Sequence, residues 1–387
     1  MRTLRAGALI VLLIALLACT RAPNSPGPGG QPSLAPSATA ETTATAPAPA
    51  PTDRTAAPTG AWAEGPLAVE GEYLRTIAVA PGSAVRYGVL GTGLARSDDG
   101  GRSWRRVSDL SVPTPLVSPR DALVLYAGDI PSCYRDEESP VFRRSTDGGK
   151  TWQELPAGQG IKPVAFKPGD PSTLYGISCW ALNVSRDGAE TWQETGPTQG
   201  WDITAILPSS SGRSLFLAVL TSEGGTSHLA WFDGDGKLIQ NLTEGLNFWG
   251  LGILATDGMT LYLADSTGVR RSPDGGQHWT LFKDGLDDVT LDVDPQAEGI
   301  PEEDVMRGYG LFALLTDPAQ PQRLVLGTVR GLYLSEDRGE HWSPAGIDVL
   351  AGMRIAALNW EPQQPGVLYA TTEAGVYVVH LPDAGTA

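Results

Sequence analysis

Ser97-Asp-Asp99-Gly-Gly101-Arg-Ser-Trp104 decides the fold, because four further segments of the chain repeat its spacing of Ser, Asp, Gly and Trp. In this pattern a strand ends at Ser, the Asp carboxylate accepts hydrogen bonds from backbone N–H groups of the turn, and Gly supplies a positive φ. Trp then opens the return strand with a large apolar surface for the core. The five copies place these two residues at Asp99 and Trp104, Asp147 and Trp152, Asp187 and Trp192, Asp274 and Trp279, and Asp337 and Trp342.

Two apolar strands precede most copies of the motif. The first ends near a proline, as in Ile77-Ala-Val-Ala-Pro81, and the second is of the Leu-Tyr type, as in Leu125-Tyr-Ala-Gly128. Together with the two strands that the motif joins, each repeat has four strands, which is the composition of a propeller blade. The sequence therefore predicts an all-β fold, a single β-propeller of four-stranded blades.

The spacing of the motifs predicts seven blades. The interval from Asp187 to Asp274 has room for two repeats, and a decayed copy, Trp231-Phe-Asp233-Gly-Asp-Gly236, lies between them. The interval from Asp274 to Asp337 holds one blade and an insertion. Three strands follow the last motif, ending in Gly375-Val-Tyr-Val-Val379.

The seventh blade needs a fourth strand, and the N-terminal part of the propeller offers one. The segment Trp62 to Val69 starts with Trp, as does the strand after every motif, while Asp383-Ala-Gly385 resembles the front half of a motif. We expect one motif to be split across the ring closure, with an unrelated Trp in a frayed terminus as the alternative.

The repeat resembles the Asp-box (BNR) repeat of sialidases, xyloglucanases, sortilin-type receptors and photosystem II assembly factors. The photosystem II factors match best in blade number and size, over residues 61–385. The Arg-Ile-Pro signature of sialidases is not intact, since Leu74-Arg75-Thr-Ile77 and Met353-Arg354-Ile-Ala356 resemble it only loosely. Xyloglucanases cleave between two propellers, whereas this sequence predicts one. The resemblance therefore favours a binding or assembly module, with a secreted glycoside hydrolase as the alternative.

The first 60 residues predict export and anchoring. Residues 1–18 have the order of a signal peptide, and Leu16-Leu17-Ala18-Cys19 resembles the bacterial lipobox, in which the cysteine is lipidated; an ordinary signal peptide with an incidental Cys is the alternative. Residues 19–60 are rich in Pro, Ala and Thr and predict a disordered tether. We expect a protein that is anchored at the outer face of the cytoplasmic membrane or at the cell surface.

The charge of the chain limits its partners. The 28 basic and 44 acidic residues give a formal net charge of −16, which disfavours contact with nucleic acid. Apart from the membrane, reached through the lipid anchor, we expect a protein or glycan ligand, a monomeric chain and no cofactor.

Strand direction assigns roles to the two faces of the propeller. The Asp boxes all fall on one face, the box face, where their carboxylates are engaged by turn amides and should be structural. On the opposite, top face lie the starts of the blades and the loops between second and third strands. We expect ligand contacts there from Trp201, Trp249, Tyr309, Arg354, Arg75 and Tyr134. Burial of these aromatic rings in the core is the alternative.

Further candidates are acidic residues and cysteines. For the hydrolase alternative, Asp136 or Glu138 could act with Asp202, since carboxylate pairs hydrolyse glycosides. The top-face insertion from Lys283 to Tyr309 is rich in Asp and Glu, whose oxygens could coordinate calcium. Because its spacing matches no defined calcium loop, we expect a solvated acidic loop, and the scattered His residues predict no metal site. Cys133 and Cys179 are placed in neighbouring top-face loops, which permits a disulfide.

Overall fold

The computed structural model describes residues 60–131, 139–179, 181–197, 201–208, 214–221, 227–241, 253–256, 260–291 and 310–382. The chain divides into two units, Met1–Ala57 and Pro58–Ala387, and all the described residues belong to the second. None of the described segments is a helix of the length and apolar character that a membrane span requires.

The described residues form seven four-stranded antiparallel sheets, one for each predicted blade. In chain order, β1 (Trp62–Glu64) precedes a hairpin of β2 (Ala68–Val69) and β3 (Glu72–Tyr73). Blade 1 consists of β4 (Thr76–Val79), β5 (Arg86–Val89), β6 (Leu94–Ser97) and β7 (Arg105–Ser108). Blade 2 consists of β8 (Leu116–Val117), β9 (Leu125–Ala127), β10 (Arg143–Ser145) and β11 (Gln153–Glu154). Blade 3 consists of β12 (Lys162–Lys167), β13 (Asp170–Ser178), β14 (Ala181–Ser185) and β15 (Gln193–Pro197). Blade 4 consists of β16 (Trp201–Pro208), β17 (Ser214–Thr221), β18 (Ser227–Asp233) and β19 (Leu238–Asn241). Blade 5 consists of β20 (Ile253–Thr256), β21 (Leu261–Asp265), β22 (Gly268–Ser272) and β23 (Thr280–Phe282). Blade 6 is β24 (Leu311–Thr316), β25 (Leu324–Thr328), β26 (Gly331–Ser335) and β27 (Ser343–Pro344), and blade 7 is β28 (Ile355–Trp360), β29 (Val367–Thr372), β30 (Gly375–His380) and β1. Two short 3₁₀ helices, Pro156–Gly158 and Asp348–Leu350, connect blades.

The blades are arranged as a closed ring. The first strand of each blade contacts the first strand of the next, from β4 through β8, β12, β16, β20 and β24 to β28, and blade 7 contacts β4 through β29 and β30. Each sheet buries its apolar residues between blades, in clusters that join neighbouring sheets. A first strand therefore has one edge paired within its blade and the other edge facing the central channel.

The N-terminal strand completes blade 7, as the sequence predicts. In the antiparallel pair of β1 and β30, Trp62 lies opposite His380 and Glu64 lies opposite Val378. The Trp62 and His380 rings are stacked, with centroids 3.8 Å apart and an interplanar angle of 6°. Pairing the two ends of the chain removes the free sheet edge that an open ring would leave. The remaining part of the proposed split motif, Asp383 to Gly385, lies outside the described residues.

Tyrosines on the second strands explain the recurring Leu-Tyr pattern. The Tyr87 hydroxyl donates to the Ala122 carbonyl of the next blade (2.7 Å), and the Tyr175 hydroxyl donates to the Gly234 carbonyl (2.8 Å). At the ring closure, a Cβ on Gly101 would lie 2.8 Å from the Tyr369 hydroxyl, and Gly101 has φ +87°. The glycine of the box is therefore required both by the turn and by the neighbouring tyrosine.

A buried ion pair joins blades 7 and 1 on the box face. The Arg86 guanidinium of β5 makes a two-point contact with the Glu361 carboxylate of the first turn of blade 7, and both side chains are fully buried. The Tyr369 hydroxyl also donates to Glu361 (2.8 Å). Burial raises the pKa of Glu361, but these hydrogen bonds outweigh it and the pKa is lowered overall.

The first part of the insertion differs from the top-face acidic loop that the sequence suggested. Leu286 and Val289 are fully buried and pack with Tyr262, Leu326 and Trp342 between blades 5 and 6. The Trp342 amide donates to the Asp284 carbonyl (2.9 Å), so this wedge, residues 284–291, begins beside the start of β27. Its apolar residues are spaced among acidic ones, and the charge pattern concealed them. Residues 292–309 lie outside the described residues.

Candidate functional site

The Asp boxes share one hydrogen-bond pattern. In blade 1, the Asp99 carboxylate accepts from the Ser97 hydroxyl (2.7 Å), the Ser103 amide (2.9 Å) and the Ser103 hydroxyl (2.5 Å). The Trp104 indole donates to the Gly101 carbonyl (2.9 Å) and fixes the ring over the turn. The same Ser-to-Asp contact recurs in the boxes of Asp147, Asp187, Asp274 and Asp337.

These hydrogen bonds hold the box carboxylates ionised. Those from Ser103 and Ser97 lower the pKa of Asp99 to about 2. For Asp147, burial acts in the opposite direction, but bonds from Thr151 and Ser145 lower its pKa to about 2. A carboxylate that is ionised and occupied in this way is a poor proton donor at neutral pH. The described box carboxylates therefore hold their own turns together.

Two histidines replace the hydroxyl of the motif without changing its geometry. Nδ1 of His278 lies 2.6 Å from Asp274 Oδ2, and Nδ1 of His341 lies 2.5 Å from Asp337 Oδ2. These are the positions that Ser103 or Thr151 occupies in other boxes. The two histidines are thus part of turns, and the described residues contain no cluster of His, Cys, Asp and Glu with metal-binding geometry.

The structure describes only some of the predicted top-face residues. Arg75 and Arg354 directly precede β4 and β28, and Trp201 and Asp202 begin β16, where their backbone alone is described. The other candidates, Cys133, Tyr134, Asp136, Glu138, Trp249 and Tyr309, lie outside the described residues. The side chains of the three hydrolase candidates are therefore not brought together by any described contact.

Arg354 forms the best-defined feature of the described top face. Its guanidinium carbon lies 4.1 Å from the centre of the Phe312 ring, which belongs to the first strand of the preceding blade. Its Nε is buried and has no hydrogen-bond partner among the residues that the structure describes. Of the arginines in the described ranges, Arg354 alone is half-buried and makes no ion pair. An arginine held over an aromatic ring in this way is oriented but not neutralised.

Arg75 occupies the corresponding position in blade 1 but is exposed. Its guanidinium lies over Gly91, where a Cβ would come within 2.5 Å of one of its nitrogens. The neighbouring Glu72 is engaged by Arg106 (2.9 Å) and by the Thr92 hydroxyl (2.6 Å). The acidic group closest in sequence is thus already paired, and Arg75 makes no ion pair with any side chain in the described part of the chain.

Cys179 follows β13 in a top-face loop and is disulfide-bonded. Its Sγ lies 3.9 Å from the carbonyl oxygen of Pro131 in the preceding blade, two residues before Cys133. Because Cys133 lies outside the described residues, its pairing with Cys179 stays a prediction.

The central channel contains a cavity of about 680 Å³ beside blades 1, 2 and 3. Strands β4, β8 and β12 form its wall, to which Asn359 of blade 7 contributes. Lys162 lies at the top-face end of β12 and Lys167 at the box-face end, while Ile77, Leu116 and Phe166 line the wall between the two faces. The sequence pattern marked these strands only as apolar, so it gave no signal for the cavity.

Phe312 and the Arg86–Glu361 pair were also missed by sequence reasoning. Phe312 lies in an apolar strand like the first strands of the other blades. Arg86 and Glu361 are 275 residues apart, and only the closed ring brings them together.

Comparison with known proteins agrees with this geometry. The family model described as "BNR/Asp-box repeat" matches residues 143–154, which contain the second box. A search of the curated proteins finds no significant match. Among solved structures, a GH74 xyloglucanase from Xanthomonas campestris matches with a TM-score of 0.61 at 17% identity, over 84% of this chain and 54% of the enzyme. This chain therefore spans about half the length of that enzyme.

Two structures of YCF48 also match, and each match covers nearly the whole length of YCF48. YCF48 from Cyanidioschyzon merolae matches with a TM-score of 0.56 at 15% identity, over 84% of this chain and 99% of YCF48. YCF48 bound to a D1 peptide matches with a TM-score of 0.52 at 16% identity, over 81% of this chain and 94% of that protein. At these identities the likeness concerns the fold alone. The chain is a β-propeller with BNR/Asp-box repeats, similar in fold to the xyloglucanase and to YCF48.

Proposed function

We propose that this protein is an exported, membrane-anchored binding or assembly module that engages a protein or glycan ligand with its top face. The observation that carries the proposal is Arg354, which is oriented by Phe312 at the start of blade 7 and makes no ion pair within the described residues. A half-buried guanidinium of this kind suits a carboxylate or another anionic group of a ligand, because it can donate two parallel hydrogen bonds.

The box face differs from the top face, and this difference supports the same proposal. Its carboxylates accept hydrogen bonds from their own turns, and their pKa values are lowered, so they are committed to structure. The top face presents Arg75 and Arg354 at the starts of two adjacent blades. YCF48, which has a similar fold and a similar length, is known with a bound peptide, and this supports a binding role without identifying the ligand.

Anchoring through Cys19 completes the proposal. The lipobox and the tether of residues 19–60 would hold the propeller outside the membrane, where its top face can meet a partner.

The experiment that tests the role of Arg354 is crosslinking in cells followed by recovery of the protein. Arg354→Gln should lose the crosslinked partner, while the melting temperature stays unchanged. Arg330→Gln is the matched control, since Arg330 is an exposed top-face arginine in the neighbouring blade. Trp249→Ala, a change at another predicted contact, should also weaken recovery. Equal recovery with Arg354→Gln and Arg330→Gln would contradict the proposal.

A glycoside hydrolase is the second candidate, and the match to the xyloglucanase favours it. Its test is a screen against fluorogenic sialosides and β-glucans. Turnover that is lost on Asp202→Ala or Glu138→Ala, with folding intact, would replace the binding module by an enzyme.

A further inference from the structure

The wall of the central cavity differs in charge from the rest of the chain. The chain has 44 acidic and 28 basic residues, yet the described wall contains Lys162 and Lys167 and no Asp or Glu. Six of the nineteen wall residues are prolines, which have no backbone N–H to donate. The wall is thus mainly apolar and carries positive charge at both ends.

The two lysines differ in their contacts with other residues. Lys167 Nζ lies 3.4 Å from the Gly234 carbonyl. The pKa of Asp170 is lowered mainly by a hydrogen bond from Ser172 and that of Asp235 mainly by one from Arg186, and the charge of Lys167 adds to both effects. Lys162 is half-buried and makes no hydrogen bond or ion pair within the described ranges. An ammonium group that is partly desolvated attracts an anion more strongly than an exposed one does.

The volume of the cavity and the residues that line it favour the same class of ligand. A volume of about 680 Å³ lies within the usual range for small-molecule sites, which are mostly apolar with a few polar groups that fix orientation. We propose that the channel binds an unbranched amphiphile with a single carboxylate head, of the fatty-acid type. The head group pairs with Lys162 near the top face, and the chain lies along the half-buried Leu116, Val164 and Phe166.

This inference goes beyond the proposed function and does not need it, because the site lies inside the channel and not on the contact surface around Arg354. A chain-length series separates a specific site from surface adsorption. Each methylene buried contributes about fourfold in affinity, and removal of the paired charge should cost about tenfold or more.

The test is isothermal titration of octanoate, decanoate and dodecanoate, below their micelle concentrations, into the full chain carrying Cys19→Ser. We expect one site, about fourfold tighter binding for each added methylene, and much weaker binding of the matched alcohol dodecanol. Lys162→Gln should weaken dodecanoate binding about tenfold and leave dodecanol unchanged. Lys150→Gln, a change at an exposed lysine on the box face, is the control and should have no effect.

Three results would overturn the inference: no saturable binding of dodecanoate, equal affinity for acid and alcohol, or an equal loss in the Lys150 and Lys162 variants. Such a result would leave the crosslinking test of Arg354 unaffected, so failure of this site and failure of the proposed function are distinguishable. Unchanged melting temperatures of both lysine variants show that the comparison concerns binding.

Discussion

The buried pair between Arg86 and Glu361 should be a main stabilising contact of the ring closure. Glu361→Gln removes the negative charge and leaves the fully buried Arg86 guanidinium without a counter-ion. Breaking a buried pair in this way costs roughly 3–5 kcal/mol in the free energy of unfolding. For a domain of this size, we expect the melting temperature to fall by about 4–7 °C, as measured by calorimetry at pH 7.

Two comparisons show whether the buried charge is the cause. Glu154→Gln breaks the exposed pair with Arg143 and should change the free energy of unfolding by about 1 kcal/mol or less. Arg86→Met combined with Glu361→Leu removes both charges and should be more stable than Glu361→Gln alone, since no unpaired charge stays buried. In this double variant the Tyr369 hydroxyl loses Glu361 but keeps the Gly100 carbonyl, 3.3 Å away, as an acceptor.

The pH dependence of the Glu361 contact has a defined sign. Its pKa is lowered from the ordinary value of 4.5, because hydrogen bonds from Arg86 and Tyr369 outweigh burial. The pair therefore stabilises the fold above pH 4.5, and this contribution is lost as the pH falls through the folded-state pKa. The stability difference between the wild type and Glu361→Gln should shrink in acid. A single variant that melts like the wild type, or a double variant that is less stable than the single one, would refute the reasoning.

Three further predictions concern the ends of the chain and the top-face loops. Cys19→Ser, or treatment with globomycin, should release or mis-process the protein if Cys19 is lipidated; an unchanged soluble species would exclude the anchor. Deletion of residues 61–70 should strongly lower the melting temperature, because β30 loses its partner β1, and an unchanged melting temperature would argue against closure by this strand. Non-reducing mass spectrometry should recover Cys133 joined to Cys179, whereas two free thiols would disprove the pairing.

The sequence predicted the parts of the fold that depend on local chemistry. The box motif specifies a turn through short-range contacts such as that from Ser97 to Asp99, so five copies could be recognised directly. Closure by the strand of Trp62 was predictable because every motif is followed by Trp. The same local geometry is the reason for predicting a structural role for the box carboxylates.

Contacts between distant segments could not be predicted in this way. The wedge of Leu286 and Val289 was concealed by the acidic residues around it, although both side chains are fully buried. The contact of Arg354 with Phe312 depends on how two first strands are placed across a blade junction. The sequence marked Arg354 as a top-face residue, but it gave no indication of the ring beneath it.

The most direct test of the division into a structural face and a binding face is site-specific photocrosslinking in cells. A photoreactive residue is placed at Arg75 on the top face or at Lys150 on the box face, and the crosslinked species are compared. We expect a discrete adduct from position 75 and none from position 150. An adduct from position 150 alone would contradict this division.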